Sequence, residues 1–278
     1  TLTTRLKGLS YTVASATEMT VVQTTAAATP ADLYPGRVVI RTAAGADGSQ
    51  SGASVKHPVT SDFTAQAATF TFASLTTGDT ARIFGTFRGQ PFDAQVVYAT
   101  GNTETTTALQ VKLDAHLNTR FGAGTGLVAT NPSNGVIVLT AEAEGDEFEA
   151  FASTVGTGTV AVTGAPSPTA STSLMRKLFG VLQDEGAEYD STVLADVIRG
   201  GRSAQALRRG DIPTPVSATV TPNDPVYVGV GASEAGKLFN ALAADRVWVP
   251  PSVMRWQAHA ASSDFINTQN LAVIGVTL

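Results

Sequence analysis

The sequence predicts a mainly β fold: a small antiparallel β-barrel or sandwich, interrupted by a β-rich insert that carries one amphipathic α-helix. Three observations lead there. Short runs such as "ATFTFASL" and "VYVGV" alternate with period 2, the pattern of half-buried strands. Turn formers punctuate these runs, among them Pro35-Gly36, Arg88-Gly89 and Asn134-Gly135. One stretch, "TETTTALQVKLDAHLNTRFG", has clear helical spacing, with Leu109, Leu113, Leu117 and Phe121 at intervals of four on one face.

In chain order, residues 1–33 read as a Thr/Ala-rich N-terminal arm with a strand around Val21-Val22. "RVVIRTA" follows the Pro35-Gly36 turn as a short strand, and Ala43 to Ser54 reads as a polar loop. Residues 66–166 form the insert. It holds "ATFTFASL", two strands around Arg88-Gly89-Gln90-Pro91 and the helix, with Thr105 to Thr107 offering N-caps and Gly122 a stop. A hairpin on Asn134-Gly135 and the strands "FEAFAS" and "GTVAVTG" complete it. The stretches "VTSDFTAQA" and "GAPSPTAST" read as its linkers. Residues 34–65 and 167–278 would then form one discontinuous domain. There "SLMRKLFGVLQDEG" and "STVLADVIRGG" are ambiguous between helix and strand, with Ser191 a candidate cap. Val216, Ala218 and Val220 alternate before the corner Thr221-Pro222-Asn223-Asp224-Pro225, and Val226, Val228 and Val230 after it, which predicts a hairpin. Pro213 and Pro215 lack a backbone donor and suit an edge strand. "DRVWVPPSVMRWQA" and "NLAVIGVTL" supply the last strands.

Composition narrows the function classes. The 278 residues are 43% hydrophobic, enough for a real core, yet only 15% charged, so the surface is built from Thr, Ser, Ala, Gly and Asn. Net charge is −5 and no basic stripe occurs, which leaves no footprint for nucleic acid. The absence of cysteine excludes disulfides, thiolate metal sites and a Cys nucleophile. No apolar run has the ~18 residues of a membrane span. The start "TLTTRLKGLSYTV" lacks a signal-peptide core and reads as a cytoplasmically made chain after loss of its initiator Met.

Chemistry finds little support. His57, His116 and His259 are far apart and form no ligand pair. Five carboxylates crowd Glu142 to Glu149, but without calcium-loop spacing they read as a solvated acidic turn, with Glu142 and Glu144 on one strand face and Phe148 and Phe151 as core anchors. No phosphate loop and no Gly-x-Ser-x-Gly occurs. Arg209-Gly210-Asp211 is an adhesion tripeptide without context, and Trp248 and Trp256 read as core or interface. No catalytic, metal or cofactor-binding residue is assigned, and the expectation is a non-enzyme. Two classes remain, an assembly protein and a carbohydrate- or ligand-binding β protein. Exposed aromatics on the insert would favour the second.

Six stretches carry a resemblance: "YPGRVVIRTA", "LFGVLQDEG", "ALRRGDIPTPV", "DPVYVGV", "RVWVPPSVMRW" and the terminal apolar strand. Over about residues 34–60 and 174–278 they resemble the structural cement proteins that decorate the heads of tailed phages, with "DPVYV" the sharpest match. The insert and the long segment "EYDSTVLADVIRGGRS" depart from that pattern. The resemblance implies a β-barrel that binds the outer capsid surface in the virion, clamps neighbouring major capsid proteins, and often forms a homotrimer. It implies no cofactor, nucleic acid or membrane. In this reading the insert is a knob, and Arg5, Lys7 and Tyr11 in the arm, Pro213 and Pro215 on the strand and Asn223 in the corner are the capsid-interface candidates. A glycan- or host-surface-binding phage protein and a tail or baseplate component are the alternatives.

Overall fold

In a computed structural model, residues 15–24, 32–43, 54–99, 102–121, 126–183, 187–192, 195–199, 203–257 and 270–278 are described. Strands β1 (Ser15–Thr24), β2 (Val38–Ala43) and β3 (Ser54–Lys56) come first, then β4 (Ala67–Ala73), β5 (Thr80–Phe87) and β6 (Gln90–Val97). Helix α1 (Asn102–Phe121) follows, then β7 (Leu127–Ser133), β8 (Val136–Ala141), β9 (Phe148–Val155) and β10 (Thr159–Gly164). The rest is β11 (Leu178–Leu182), β12 (Glu188–Asp190), β13 (Ala195–Val197), β14 (Ser203–Val216), β15 (Val226–Gly229), β16 (Leu238–Phe239), β17 (Arg246–Val249), β18 (Met254–Trp256) and β19 (Asn270–Thr277). Among the described residues the fold is mainly β with one α-helix. It divides into two compact units: a sheet unit, Thr1–Thr60 with Met175–Leu278, and an inserted unit, Ser61–Leu174. The inserted unit extends beyond the linker-based limits of 66 and 166 at both ends.

The inserted unit is a sandwich against whose core a helix packs one face. One sheet has the order β10-β4-β8-β7 and the other β6-β5-β9. Alternation turns Phe70 and Phe72 of β4, Ile137 and Leu139 of β8, Ile83 and Phe87 of β5, and Phe92 of β6 into one core, which Leu109, Leu113 and Leu117 of α1 join. The β5–β6 turn works because Arg88 and Gly89 both take positive φ, 49° and 71°, matching the strands' right-handed twist. Gly85 is needed because β9 runs close by: a Cβ there would sit 2.0 Å from the Glu149 carbonyl. Gln66 joins the unit's beginning to its end: its amide donates to the Phe148 and Ala165 carbonyls at 2.7 and 2.9 Å and accepts from the Phe148 N–H at 3.0 Å. The Thr64 N–H reaches the Ser171 carbonyl at 2.8 Å, so both ends of the insertion leave side by side. Helix α1 starts one turn before Thr105 to Thr107; Thr105 and Thr106 are buried along it rather than capping it. It ends at Phe121, whose side chain lies outside the described residues, as does Gly122.

In the sheet unit β14 is the spine. Leu207 stands opposite both Met19 of β1 and Val181 of β11, so those strands take opposite edges. β19 succeeds β11 on its edge, pairing Arg209 to Val216. β2 and β3 continue from β11, and β3 meets β1 at Gln23↔Ser54 and Thr24↔Val55. The sheet therefore curls back on itself, but it is not the closed barrel that was one form of the expectation: half of β14 and all of β18 run beyond the circuit of pairings. A second small sheet has the order β16-β15-β17. Leu33, Val39, Val55, Phe179, Leu182 and Ile198 form one core cluster, while Trp256 is 1% exposed and donates its Nε1–H to the Pro225 carbonyl at 3.2 Å.

Three expectations need correction. The stretch after Val216 is not a strand, and β15 pairs with β16 and β17 rather than with β14, so the predicted hairpin is two sheets' worth of separate strands. Ser191 sits in the β12–β13 turn instead of capping a helix; the two segments left open between helix and strand resolve as the short strands β11 and β13. Phe151 is 49% exposed: it lies three residues from core Phe148, and a period-2 strand turns such a pair to opposite faces. The loop 44–53 lies outside the described residues.

Candidate functional site

The proline strand and the corner that follows it hold the described interface candidates. Pro213 stands opposite Val273 and Pro215 opposite Leu271. Neither has an N–H, so the ladder to β19 runs through Ile212, Thr214 and Val216, and both prolines turn their backbones to the other edge. β1 covers that edge only as far as Asp211. Beyond Asp211, among the described residues, no strand pairs with it, and it presents the Pro213 and Pro215 carbonyls without a donor. Such an edge resists strand addition. Thr214 is buried between them, and its hydroxyl donates to the Gly36 carbonyl at 2.6 Å, fixing this half of β14 to the turn before β2.

The corner is rigid. The Asp224 carboxylate accepts from the Thr221 N–H at 2.8 Å and hydroxyl at 2.9 Å, and from the Asn240 amide at 3.0 Å. The same amide donates to the Thr219 carbonyl at 2.9 Å. The Asn240 bond, helped by Thr221, holds the Asp224 carboxyl below its ordinary range. Asn223 is exposed at the tip between Pro222 and Asp224. The structure thus joins Pro213 and Pro215 on one side of one strand and sets Asn223 apart, on the approach to the β15 sheet. Arg5, Lys7 and Tyr11 lie outside the described residues.

The other candidates are structural. His57 is buried; its Nε2 accepts the Tyr34 N–H and its Nδ1 donates to the Val38 carbonyl, both at 2.8 Å. Burial and the Arg37 guanidinium push it down from 6.5 to about 4, against the Val38 bond, so it is neutral. His116 is half-buried on α1, and His259 lies outside the described residues. The acidic run is not uniformly solvated. Asp146 is buried against Arg88 at 2.7 Å, Glu142 follows β8 and accepts the Gly126 N–H at 2.9 Å, and Glu147 accepts from Ser173. No group of three metal-ligating side chains occurs among the described residues. Arg209-Gly210-Asp211 lies inside β14, paired with β1 and β19, and not on a loop tip. Trp248 is half-buried on β17.

One surface escaped the sequence reading. Arg82 and Phe84 share the outer face of β5 with Phe151 of β9 and Asp93 of β6. The parity of "ARIFGTF" and the i,i+3 spacing of Phe148 and Phe151 were the available signals.

No protein-family model matches the chain, and no curated protein matches it. Among solved structures, the chain is similar to the D2–D3 domains of the flagellar cap protein FliD from Serratia marcescens. The identity is 14%, the TM-score 0.22, and the match covers 69% of this chain and 99% of that one.

Proposed function

We propose that this chain is a non-enzymatic virion protein that binds the outer surface of a tailed-phage capsid shell, clamps neighbouring major capsid proteins and thereby stabilises the mature head. The observation that carries the reading is the fate of the six resembling stretches. They come from two distant parts of the sequence, and all of them fall in the sheet unit, as β2, β11, β14, β15, β17 with β18, and β19. The inserted unit contributes none. Its two ends leave together, so the sheet unit can carry it without losing a strand. The contact surface in this reading is the proline edge of β14, the Asn223 corner and the N-terminal arm with Arg5, Lys7 and Tyr11. A weakly polar, low-charge surface suits broad contact with a shell. Self-association as a homotrimer is part of the same proposal.

Co-sedimentation of purified protein with expanded shells that lack it tests the reading. Saturable binding, with raised resistance of the shells to heat or osmotic shock, is expected. A stable free oligomer that never sediments with shells contradicts it.

A further inference from the structure

The outer face of the β6–β5–β9 sheet combines aromatic and planar polar groups in fixed geometry. Asp93, Phe84 and Phe151 form one cross-strand row, and Gln95, Arg82 and Ser153 the next. The Phe84 and Phe151 ring centroids are 5.7 Å apart with the planes tilted by 31°, and Phe151 is 49% exposed. Arg82 lies 4.7 Å over the Phe84 ring and grips Asp93 with two bonds, Nε to Oδ1 at 2.8 Å and Nη2 to Oδ2 at 2.5 Å. A two-point Arg–carboxylate pair is held in one plane and orientation. Val97 and Val155, 61% and 68% exposed, close the far end of the face.

The chemistry selects the occupant. Arg82 and Asp93 cancel each other's charge, and the chain carries −5, so a phosphate backbone finds no match. Three strands at ~4.8 Å spacing and eight residues long give a face of roughly 300 Å². A stable protein interface buries about 800 Å² per partner, so a second copy is not held by this face alone. A purely apolar small molecule needs a concavity, and this is an open sheet face. What fits is a neutral ligand with an apolar face and a rim of hydroxyls.

We propose that this face binds a neutral saccharide, one pyranose stacking its C–H face on Phe151 while its hydroxyls bond to the Arg82–Asp93 pair. The site gives the inserted unit a ligand of its own and stands whether or not the sheet unit binds a shell.

An array of neutral and acidic oligosaccharides, probed with the full chain, tests it, with single-stranded RNA as a competing probe. At least one neutral oligosaccharide binds saturably. In titration calorimetry Phe151→Ala weakens that binding roughly tenfold or more, as loss of a stacking partner should, and Arg82→Ala abolishes it. Val162→Ser, on β10 outside the face, leaves it unchanged, and all three variants melt with the parent. An array with no neutral saccharide bound overturns the proposal, as does binding indifferent to Phe151→Ala, or RNA or self-association as what the two face variants abolish.

Discussion

The inserted unit and the sheet unit differ in how much of their sheets closes locally, although each holds both near and distant pairings. In the inserted unit the hairpins β5–β6 and β7–β8 close within the chain's immediate neighbourhood, and a Phe-rich core fills the space between two sheets. In the sheet unit Ile40 pairs with Leu178 and Ser15 with Asp211, across the whole insertion, and the core cluster is mostly Val, Leu, Ile and Ala with Phe179. Near pairings need little loop closure and leave turn signals in the sequence; distant ones leave none. The difference predicts two units that can be perturbed separately. Both tryptophans, Trp248 and Trp256, lie in the sheet unit, so their emission reports on that unit alone.

The largest expected separation comes from the aromatic core. Phe70→Ala removes a fully buried side chain and costs the inserted unit about 3–5 kcal/mol. Chemical denaturation followed by far-UV circular dichroism shows an early transition, while the tryptophan midpoint stays in place. A joint shift of both signals would mean that the units unfold as one.

Acid should separate them the other way. His57 in the sheet unit is depressed from 6.5 to about 4, so its full contribution is present above 6.5. As pH falls from 6.5 to about 4 the unfolded chain takes up a proton that the folded chain refuses, and about 3 kcal/mol is lost. Asp79 and Asp93 in the inserted unit are held below 3.8, Asp79 chiefly by the Thr76 N–H and Asp93 by Arg82. Their contributions persist above 3.8 and fade only below it. Between pH 6.5 and 4.5 the tryptophan midpoint falls while the inserted unit's holds, and His57→Gln flattens the tryptophan dependence.

Smaller effects probe the proline strand. Thr214→Val loses the bond to the Gly36 carbonyl and costs about 1 kcal/mol in the tryptophan transition. The double change Pro213→Thr with Pro215→Thr moves stability by less than about 1 kcal/mol. It restores two donors to the edge that no strand pairs with among the described residues, so analytical ultracentrifugation shows concentration-dependent association that the parent lacks at that edge.

What the sequence made legible follows the same division. Asn134-Gly135, the alternation of "ATFTFASL" and the leucine spacing of α1 are local signals, and each marks an element of the inserted unit. β11 has no local signature, because what makes it a strand is a partner far along the chain, while β13 forms a short hairpin with neighbouring β12 that no Gly- or Pro-based turn announced. Val216, Ala218 and Val220 alternate as a strand would, yet Ala218 is exposed and no partner strand among the described residues reaches it, so period alone misled. The prolines were readable as an edge; that, among the described residues, β1 pairs no further along β14 than Asp211 was not. The Arg82, Asp93, Phe84 and Phe151 face needed cross-strand register, which no single strand contains.

The central claim is that the sheet unit attaches the chain to a capsid. A cryo-EM reconstruction of expanded shells saturated with the full protein tests it most directly. The account predicts density for β14 and the Asn223 corner against the major capsid protein at a repeated lattice position. Shells without added density, or with contact made only by the inserted unit, would contradict it.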